Sequence, residues 1–158
     1  MTMKTLVVYY TRTGNSKFAA EMIASELGAD IEEVIDLKKR QGRLAYMSCG
    51  RDAMSGKETE IAPTKRNTSE YDLIVIAQPV WAWSPTPAIR TYVNKNDLSG
   101  KKVALFFGGE NLKQAVEKTK ALMCNTTFVG ELAVEEPLQN KEEAEKKIVE
   151  WCNTLKMA

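Results

Sequence analysis

Short apolar runs alternate with helical patterns along the whole chain, and this alternation limits the possible folds more than any other feature. Five runs predict strands, namely residues 4–10, 31–37, 71–78, 101–109 and 126–134. The first, third and fourth are apolar enough to be covered on both faces, as in a parallel sheet. Strands that alternate with helices join through right-handed crossovers. We therefore predict an α/β fold, a doubly wound five-stranded parallel sheet with helices on both faces, in one domain covering residues 1–158.

Start signals place several of the helices between these strands. The first helix is predicted over residues 15–27. Thr86 and Pro87 are the N-cap and first-turn residues expected of the next one. Asn111 is expected to cap a later helix, and Asn140 with Glu143 predicts a capping box at the start of the last helix.

The stretch 38–69 follows no simple pattern. Leu44, Met47, Arg51 and Met54 have the spacing of a short helix. The same stretch holds a basic group made of Lys38, Lys39, Arg40, Arg43 and Arg51. We expect a solvated loop there, and the alternative is a docking patch for an acidic partner.

Composition excludes several classes of function. The net charge of the 158 residues is +1, which gives no general attraction for nucleic acid. The chain has no histidine, the commonest general base and metal ligand, so we predict neither a catalytic acid–base residue nor a metal site. The scattered Cys49, Cys124 and Cys152 are typical of reduced thiols. With no signal peptide and no apolar run of membrane-spanning length, we expect a cytoplasmic protein that does not insert into a membrane.

The predicted sheet directs attention to three loops. In doubly wound sheets, ligands bind beyond the carboxyl ends of the strands, where the strand order reverses. The chain segments that follow Tyr10, Gln78 and Phe107 leave this edge of the sheet. These three loops are therefore the candidates for a binding site.

The loop after the first strand is suited to an anion. It consists of Thr11, Arg12, Thr13, Gly14, Asn15 and Ser16. Hydroxyls, an amide and backbone N–H groups lie there at the positive end of a helix dipole, a place that phosphate fits well. The alternative is an ordinary turn capped by Thr or Asn. A dinucleotide fold and a nucleoside triphosphatase are both unsupported, because neither G-x-G-x-x-G nor G-K-[ST] is present.

The other two loops suggest a flat ligand. The loop "QPVWAWSPTP" (78–87) carries Trp81 and Trp83, which either fill the core beneath the loop or form a platform for an aromatic ring. Gly108 and Gly109 follow the fourth strand and let the backbone approach such a ring. Taken together, the three loops predict a phosphorylated, planar, heteroaromatic ligand.

These motifs resemble those of the flavodoxin family. "TRTGNS" is similar to that family's T-x-T-G-N-[ST] phosphate loop, "YDLIVIAQPVWAWSPTPAIRTYV" to its third strand and flavin-stacking loop, and "VALFFGG" to its third flavin loop. The resemblance implies the strand order 2-1-3-4-5 and the cofactor FMN. It places the flavin phosphate on Thr11, Arg12, Thr13, Gly14, Asn15 and Ser16. It places the isoalloxazine among Pro79, Val80, Trp81, Ala82 and Trp83, with Gly108 and Gly109 along its pyrimidine side.

The resemblance also implies a role in electron transfer. We expect an FMN-binding carrier rather than a stand-alone oxidoreductase, with a reductase and acceptor enzymes as partners, and a monomer or weak homodimer. Two alternatives remain: an FMN-dependent reductase of quinone-type acceptors that uses NAD(P)H, and a non-catalytic flavin redox sensor. The near-neutral charge, the third loop "GGENL" without a tyrosine, and the additional segment 38–69 depart from typical flavodoxins. The charge and the additional segment favour the reductase alternative.

Overall fold

Five parallel strands form one sheet with helices on both faces. The computed structural model describes residues 3–110 and 112–158. The elements are β1 (Thr5–Tyr9), α1 (Asn15–Leu27), β2 (Asp30–Glu33), α2 (Arg43–Met54), β3 (Leu73–Pro79), α3 (Pro87–Lys95), β4 (Lys102–Gly108), α4 (Leu112–Lys120), β5 (Thr127–Ala133) and α5 (Lys141–Lys156). The strand order is β2-β1-β3-β4-β5, and all pairs are parallel. The predicted doubly wound fold and its order 2-1-3-4-5 are confirmed.

The sheet separates two apolar cores. Side chains alternate between the faces of a strand, so Leu6 and Ile74 enter one core and Val7 and Val75 enter the other. The first core is closed by α3 and α4, and the second by α1 and α5. Because β1 is buried along its whole length and β3 up to its last residue, the loops at their carboxyl ends are held on a rigid base.

Three of the predicted helix starts lie in the described residues, and the first is confirmed, because α1 (Asn15–Leu27) has the predicted bounds. Thr86 caps α3, and its Oγ1 accepts a hydrogen bond of 3.4 Å from the N–H of Ile89. Asn140 is the N-cap residue of α5, as predicted, but the capping box is wrong because the Asn140 side chain makes no capping hydrogen bond. The N–H of Asn140 instead donates to the carbonyl of Pro137 at 3.3 Å, within a turn that precedes the helix. The predicted cap Asn111 lies outside the described residues.

The segment between β2 and β3 contains the short helix that was predicted, but its environment was not anticipated. Leu44, Met47 and Met54 of α2 are 89%, 77% and 60% exposed, so the apolar spacing does not mark a buried face. The expectation of a solvated loop is wrong for Arg40, whose side chain is buried. The helix is therefore held to the rest of the molecule mainly by polar contacts.

Three further findings concern membranes, metals and thiols. None of the helices in the described ranges combines the length and the hydropathy needed to cross a bilayer. Within the same residues, no cluster of Cys, Asp and Glu has the arrangement of a metal site. Cys49 and Cys152 are buried free thiols, and Cys124 is an exposed one.

Candidate functional site

A cavity of about 470 Å³ lies at the carboxyl edge of the sheet, where the strand order reverses between β1 and β3. Its walls come from the loop after β1, the loop after β3, the end of β4 and helix α2. The predicted site residues that line it are Thr11, Arg12, Thr13, Asn15, Ser16, Pro79, Val80, Trp81, Ala82, Trp83 and Gly108. Three loops far apart in the chain thus meet around one space.

Gly14 and Gly109, the other two predicted residues, shape the walls rather than line this cavity. Gly14 precedes α1 with a φ of 98°, and its N–H donates to Thr11 Oγ1 at 2.9 Å. A Cβ at this position would lie 3.3 Å from Leu138 Cδ1. A Cβ at Gly109 would lie 3.4 Å from the Cβ of Val80, so the third loop approaches the tryptophan loop closely there. Gly109 lines a smaller cavity of about 250 Å³ next to the first.

The loop before α1 presents donors suited to an anion. The first backbone N–H groups of a helix have no acceptor within the helix. At α1 no side chain caps them and no acidic residue lies in the first turn, whereas α3 is capped by Thr86. Asn15 Nδ2 donates to Thr13 Oγ1 at 3.3 Å, and Asn15 Oδ1 accepts from the N–H of Leu138 at 3.0 Å, which hold the amide at the rim. The uncapped donors and the helix dipole fit a phosphate group.

Arg12 connects this loop to the segment before α2. Its Nε donates to the carbonyl of Arg40 at 2.6 Å, and its Nη2 donates to the carbonyl of Gly42 at 3.2 Å. The guanidinium carbon lies 5.9 Å from the ring centre of Tyr46. Arg12 therefore borders the cavity while it fixes the approach to α2, and three of its five N–H donors are left for other acceptors.

The tryptophan loop ends in a tight two-residue turn. Trp81 and Ser84 exchange two backbone hydrogen bonds, of 3.2 and 3.0 Å. The central residues Ala82 and Trp83 have φ values of 49° and 58°. A turn with positive φ at both positions is the type I′ geometry, which normally favours Asn and Gly. Neither residue here is of that kind, so the turn carries backbone strain of about 1–2 kcal/mol per residue.

Relief of this strain gives a first testable prediction. We expect Ala82→Gly to raise the free energy of unfolding of the ligand-free protein by roughly 0.5–1 kcal/mol, because glycine adopts positive φ without a steric penalty. Urea unfolding followed by circular dichroism measures the change. The matched control is Ala24→Gly within α1, where the same substitution should destabilise by about 0.5–1 kcal/mol. A loss of stability in Ala82→Gly would contradict the positive φ.

The two tryptophans of the loop differ in their surroundings. The Trp81 ring meets the ring of Tyr10 edge-on, with 5.5 Å between their centres, and the Arg40 guanidinium lies 5.4 Å from the Trp81 ring centre. It also packs on the core beneath. Trp83 is 51% exposed and borders the cavity. The structure thus gives Trp81 a packing role and leaves ring surface on Trp83 for a ligand.

Sequence reasoning missed the fourth wall. It consists of Tyr46, Met47, Cys49 and Gly50 from α2, and Glu136 lies at the edge nearby. A Cβ at Gly50 would lie 3.7 Å from the Cβ of Ala82, so α2 packs directly on the tryptophan loop. The apolar spacing predicted the helix but not its position, because no motif in the segment indicates which loop it contacts.

Charges are distributed unequally around the cavity. On the α2 side, burial alone would lower the pKa of Arg40, but its hydrogen bonds to Asp36 and Cys49 raise that pKa. In the smaller cavity beside Trp83, the hydrogen bond with Glu110 and its negative charge raise the pKa of Glu135. Arg40 therefore stays protonated between its carboxylate partners, whereas Glu110 and Glu135 are carboxylates that repel one another.

Comparisons with known proteins agree with this geometry. The family model described as flavodoxin matches residues 4–155. A flavoprotein of Lactobacillus acidophilus NCFM, solved in complex with FMN, is 25% identical, with a TM-score of 0.70 over 89% of this chain and 97% of that one. A protein of Bacteroides eggerthii is 20% identical, with a TM-score of 0.73 over 99% of both chains. Oxidised flavodoxin 2 of Bacillus cereus is 20% identical, with a TM-score of 0.56 over 96% of both chains.

No curated protein sequence matches the chain. The two structures below 25% identity show the fold alone, whereas the family model extends over nearly the whole sequence and includes every loop around the cavity. The chain belongs to the flavodoxin family.

Proposed function

We propose that this protein binds FMN and transfers electrons between larger redox proteins. The observation that carries the proposal is the joint presence, in one cavity, of uncapped helix donors at α1 and the exposed ring of Trp83. A phosphate and a flat aromatic ring joined in one ligand match these two features. The FMN complex of the Lactobacillus acidophilus protein supports the choice of FMN.

The protein's own residues would bind and orient this cofactor. The phosphate would be held by the loop from Thr11 to Ser16, where backbone N–H groups and hydroxyls converge. The ring would lie beside Trp83 and near Gly108, where the backbone allows a close approach. FMN supplies the redox chemistry, because it can take up and release one or two electrons. The half-exposed Trp83 leaves that side of the site open to solvent.

An open ring edge supports the role of a carrier. Electrons pass between proteins when a partner can approach the flavin, and the half-exposed Trp83 marks the accessible side of the cavity. We propose as partners a reductase that supplies the electrons and an enzyme that accepts them. Glu110, Glu135 and Glu136 near this side would favour a partner with a basic contact surface.

A second candidate function is the reduction of small quinone-type molecules by NAD(P)H. The observation that favours it is the position of α2, which brings the exposed side chains of Tyr46 and Met47 to the mouth of the cavity. An aromatic and a flexible thioether side chain make a suitable wall for a flat apolar molecule. The role of carrier does not require such a wall.

Anaerobic reduction distinguishes the two candidates. We expect the FMN-loaded protein to be bleached slowly by NADH or NADPH alone and rapidly after addition of a flavodoxin reductase, because a carrier receives its electrons from another protein. Stopped-flow absorbance of the flavin measures both rates, and free FMN with the same nicotinamide is the control. Rapid bleaching without a reductase would contradict the carrier and favour the quinone reductase.

A further inference from the structure

The buried side chain of Arg40 contacts both α2 and the tryptophan loop. Arg40 Nε donates to Asp36, and Arg40 Nη1 donates to Asp52 of α2 at 3.2 Å. The same nitrogen lies 3.9 Å from Cys49 Sγ, and the guanidinium covers the ring of Trp81. The backbone carbonyl of Arg40 accepts the hydrogen bond from Arg12 of the anion loop. Arg40 thus contacts α2, the tryptophan loop and the phosphate loop together.

The cluster around Arg40 is buried and well satisfied. The side chains of Arg40, Asp36 and Asp52 are 3%, 3% and 7% exposed. Lys38 adds a second cation, with its Nζ 2.7 Å from Asp52. This hydrogen bond lowers the pKa of Asp52, although burial opposes the shift. Buried charges of this kind are tolerated only when they are paired, and the pairs with Asp52 connect Arg40 and Lys38 directly to α2.

Helix α2 has few other means of attachment. The side chains described as buried over residues 44–54 are those of Cys49, Asp52 and Ala53, and two of these three contact Arg40. Arg90 of α3 donates to the carbonyl of Ala53 at 3.2 Å, which holds only the last turn. The large apolar side chains of the helix, Leu44, Tyr46, Met47 and Met54, are exposed. The middle of α2, which lines the cavity, therefore depends on the guanidinium of Arg40.

We infer that Arg40 is a positioning residue for the cofactor site: it fixes α2 and Trp81 as two walls of the cavity and thereby slows the release of FMN. The inference rests on the proposed binding of FMN. A guanidinium is required because its planar fork can reach Asp36 and Asp52 simultaneously while it lies over the Trp81 ring. A lysine at this position can meet one carboxylate and can cover the ring only partly.

The experiment compares Arg40→Met and Arg40→Lys with Arg66→Met. Arg66 pairs with Asp30 at 3.3 Å on the surface, outside the cavity, so its variant controls for the loss of an arginine. Hydrogen exchange of the backbone amides in the ligand-free protein reports on α2 without any cofactor. The rate of FMN release is measured by the exchange of bound, unlabelled FMN for an excess of isotope-labelled FMN added to the solution.

We expect Arg40→Met to speed both amide exchange in α2 and FMN release by about tenfold, while amide exchange in β1, β3 and β4 stays unchanged. Arg40→Lys should give intermediate rates. Arg66→Met should stay within about twofold of the parent protein in both measurements. Unchanged FMN release in a folded Arg40→Met or Arg40→Lys protein would overturn the inference, even if α2 exchanged faster. Should Arg40→Met not fold, Arg40→Lys decides by the same two measurements. Failure of the parent protein to bind FMN would instead refute the proposed function. The two failures are distinguishable, because hydrogen exchange in the ligand-free protein tests the attachment of α2 without FMN.

Discussion

FMN should bind this protein at least about a hundredfold more tightly than riboflavin, because two or more hydrogen bonds to a charged group contribute roughly 1.5–3 kcal/mol each. Riboflavin keeps the ring and lacks only the phosphate, so the comparison isolates the loop from Thr11 to Ser16. The donors of that loop are uncapped at the start of α1 and have no acidic neighbour in the first turn. Fluorescence titration of the ligand-free protein with each flavin measures the two dissociation constants.

A pair of glycine variants tests whether the loop itself is responsible. Gly14→Ala should reduce the preference for FMN, because Gly14 has a φ of 98° and an added Cβ would press on Leu138. Gly100→Ala is the control, since Gly100 has a φ of 78° and nothing lies within 4 Å of a Cβ there. Both variants suffer backbone strain, but only the first disturbs the loop. Equal affinities of the parent protein for the two flavins would show that the loop does not hold a phosphate.

The fold could be predicted from the sequence because the apolar composition of the central strands shows that they are buried on both faces. β1, β3 and β4 are buried on both faces, which requires near-continuous apolar runs, and such runs can be recognised without any knowledge of their partners. The start of α3 could also be predicted from neighbouring residues alone, since Thr86 caps a helix whose first residue is Pro87. Asn140 occupies the predicted N-cap position of α5, but its side chain makes no capping hydrogen bond, and its N–H is bonded within the preceding turn, which the local pattern did not indicate.

The site was predictable where its residues are contiguous and unpredictable where they are not. The loops 11–16 and 79–83 each contain their own motif, and both line the cavity. The wall formed by α2 depends on a buried ion cluster whose members, Asp36, Arg40 and Asp52, look in the sequence like ordinary surface charges. Pairing in three dimensions is what allows such charges to be buried. The spacing of residues within one segment does not show which charges from other segments will pair with it.

Truncation of the two loop tryptophans should have opposite consequences. We expect Trp81→Ala to lower the free energy of unfolding of the ligand-free protein by about 2–4 kcal/mol, because it removes a ring that packs on the core and contacts Tyr10 and Arg40. Trp83→Ala should change stability by less than about 1 kcal/mol, since the ring is half exposed and its backbone φ is strained. Urea unfolding of both ligand-free variants measures the difference.

The order should reverse when FMN is the reporter. A ring that stacks on a flavin contributes roughly 1–3 kcal/mol, so Trp83→Ala should bind FMN about 5- to 150-fold more weakly and should lose much of the quenching of flavin fluorescence. Trp83→Phe is the matched variant, because it retains an aromatic face at the same strained position and should recover most of both effects. The stacking role of Trp83 requires this recovery. If Trp83→Ala binds and quenches FMN as the parent protein does, the exposed ring serves another purpose and the flavin lies elsewhere in the cavity.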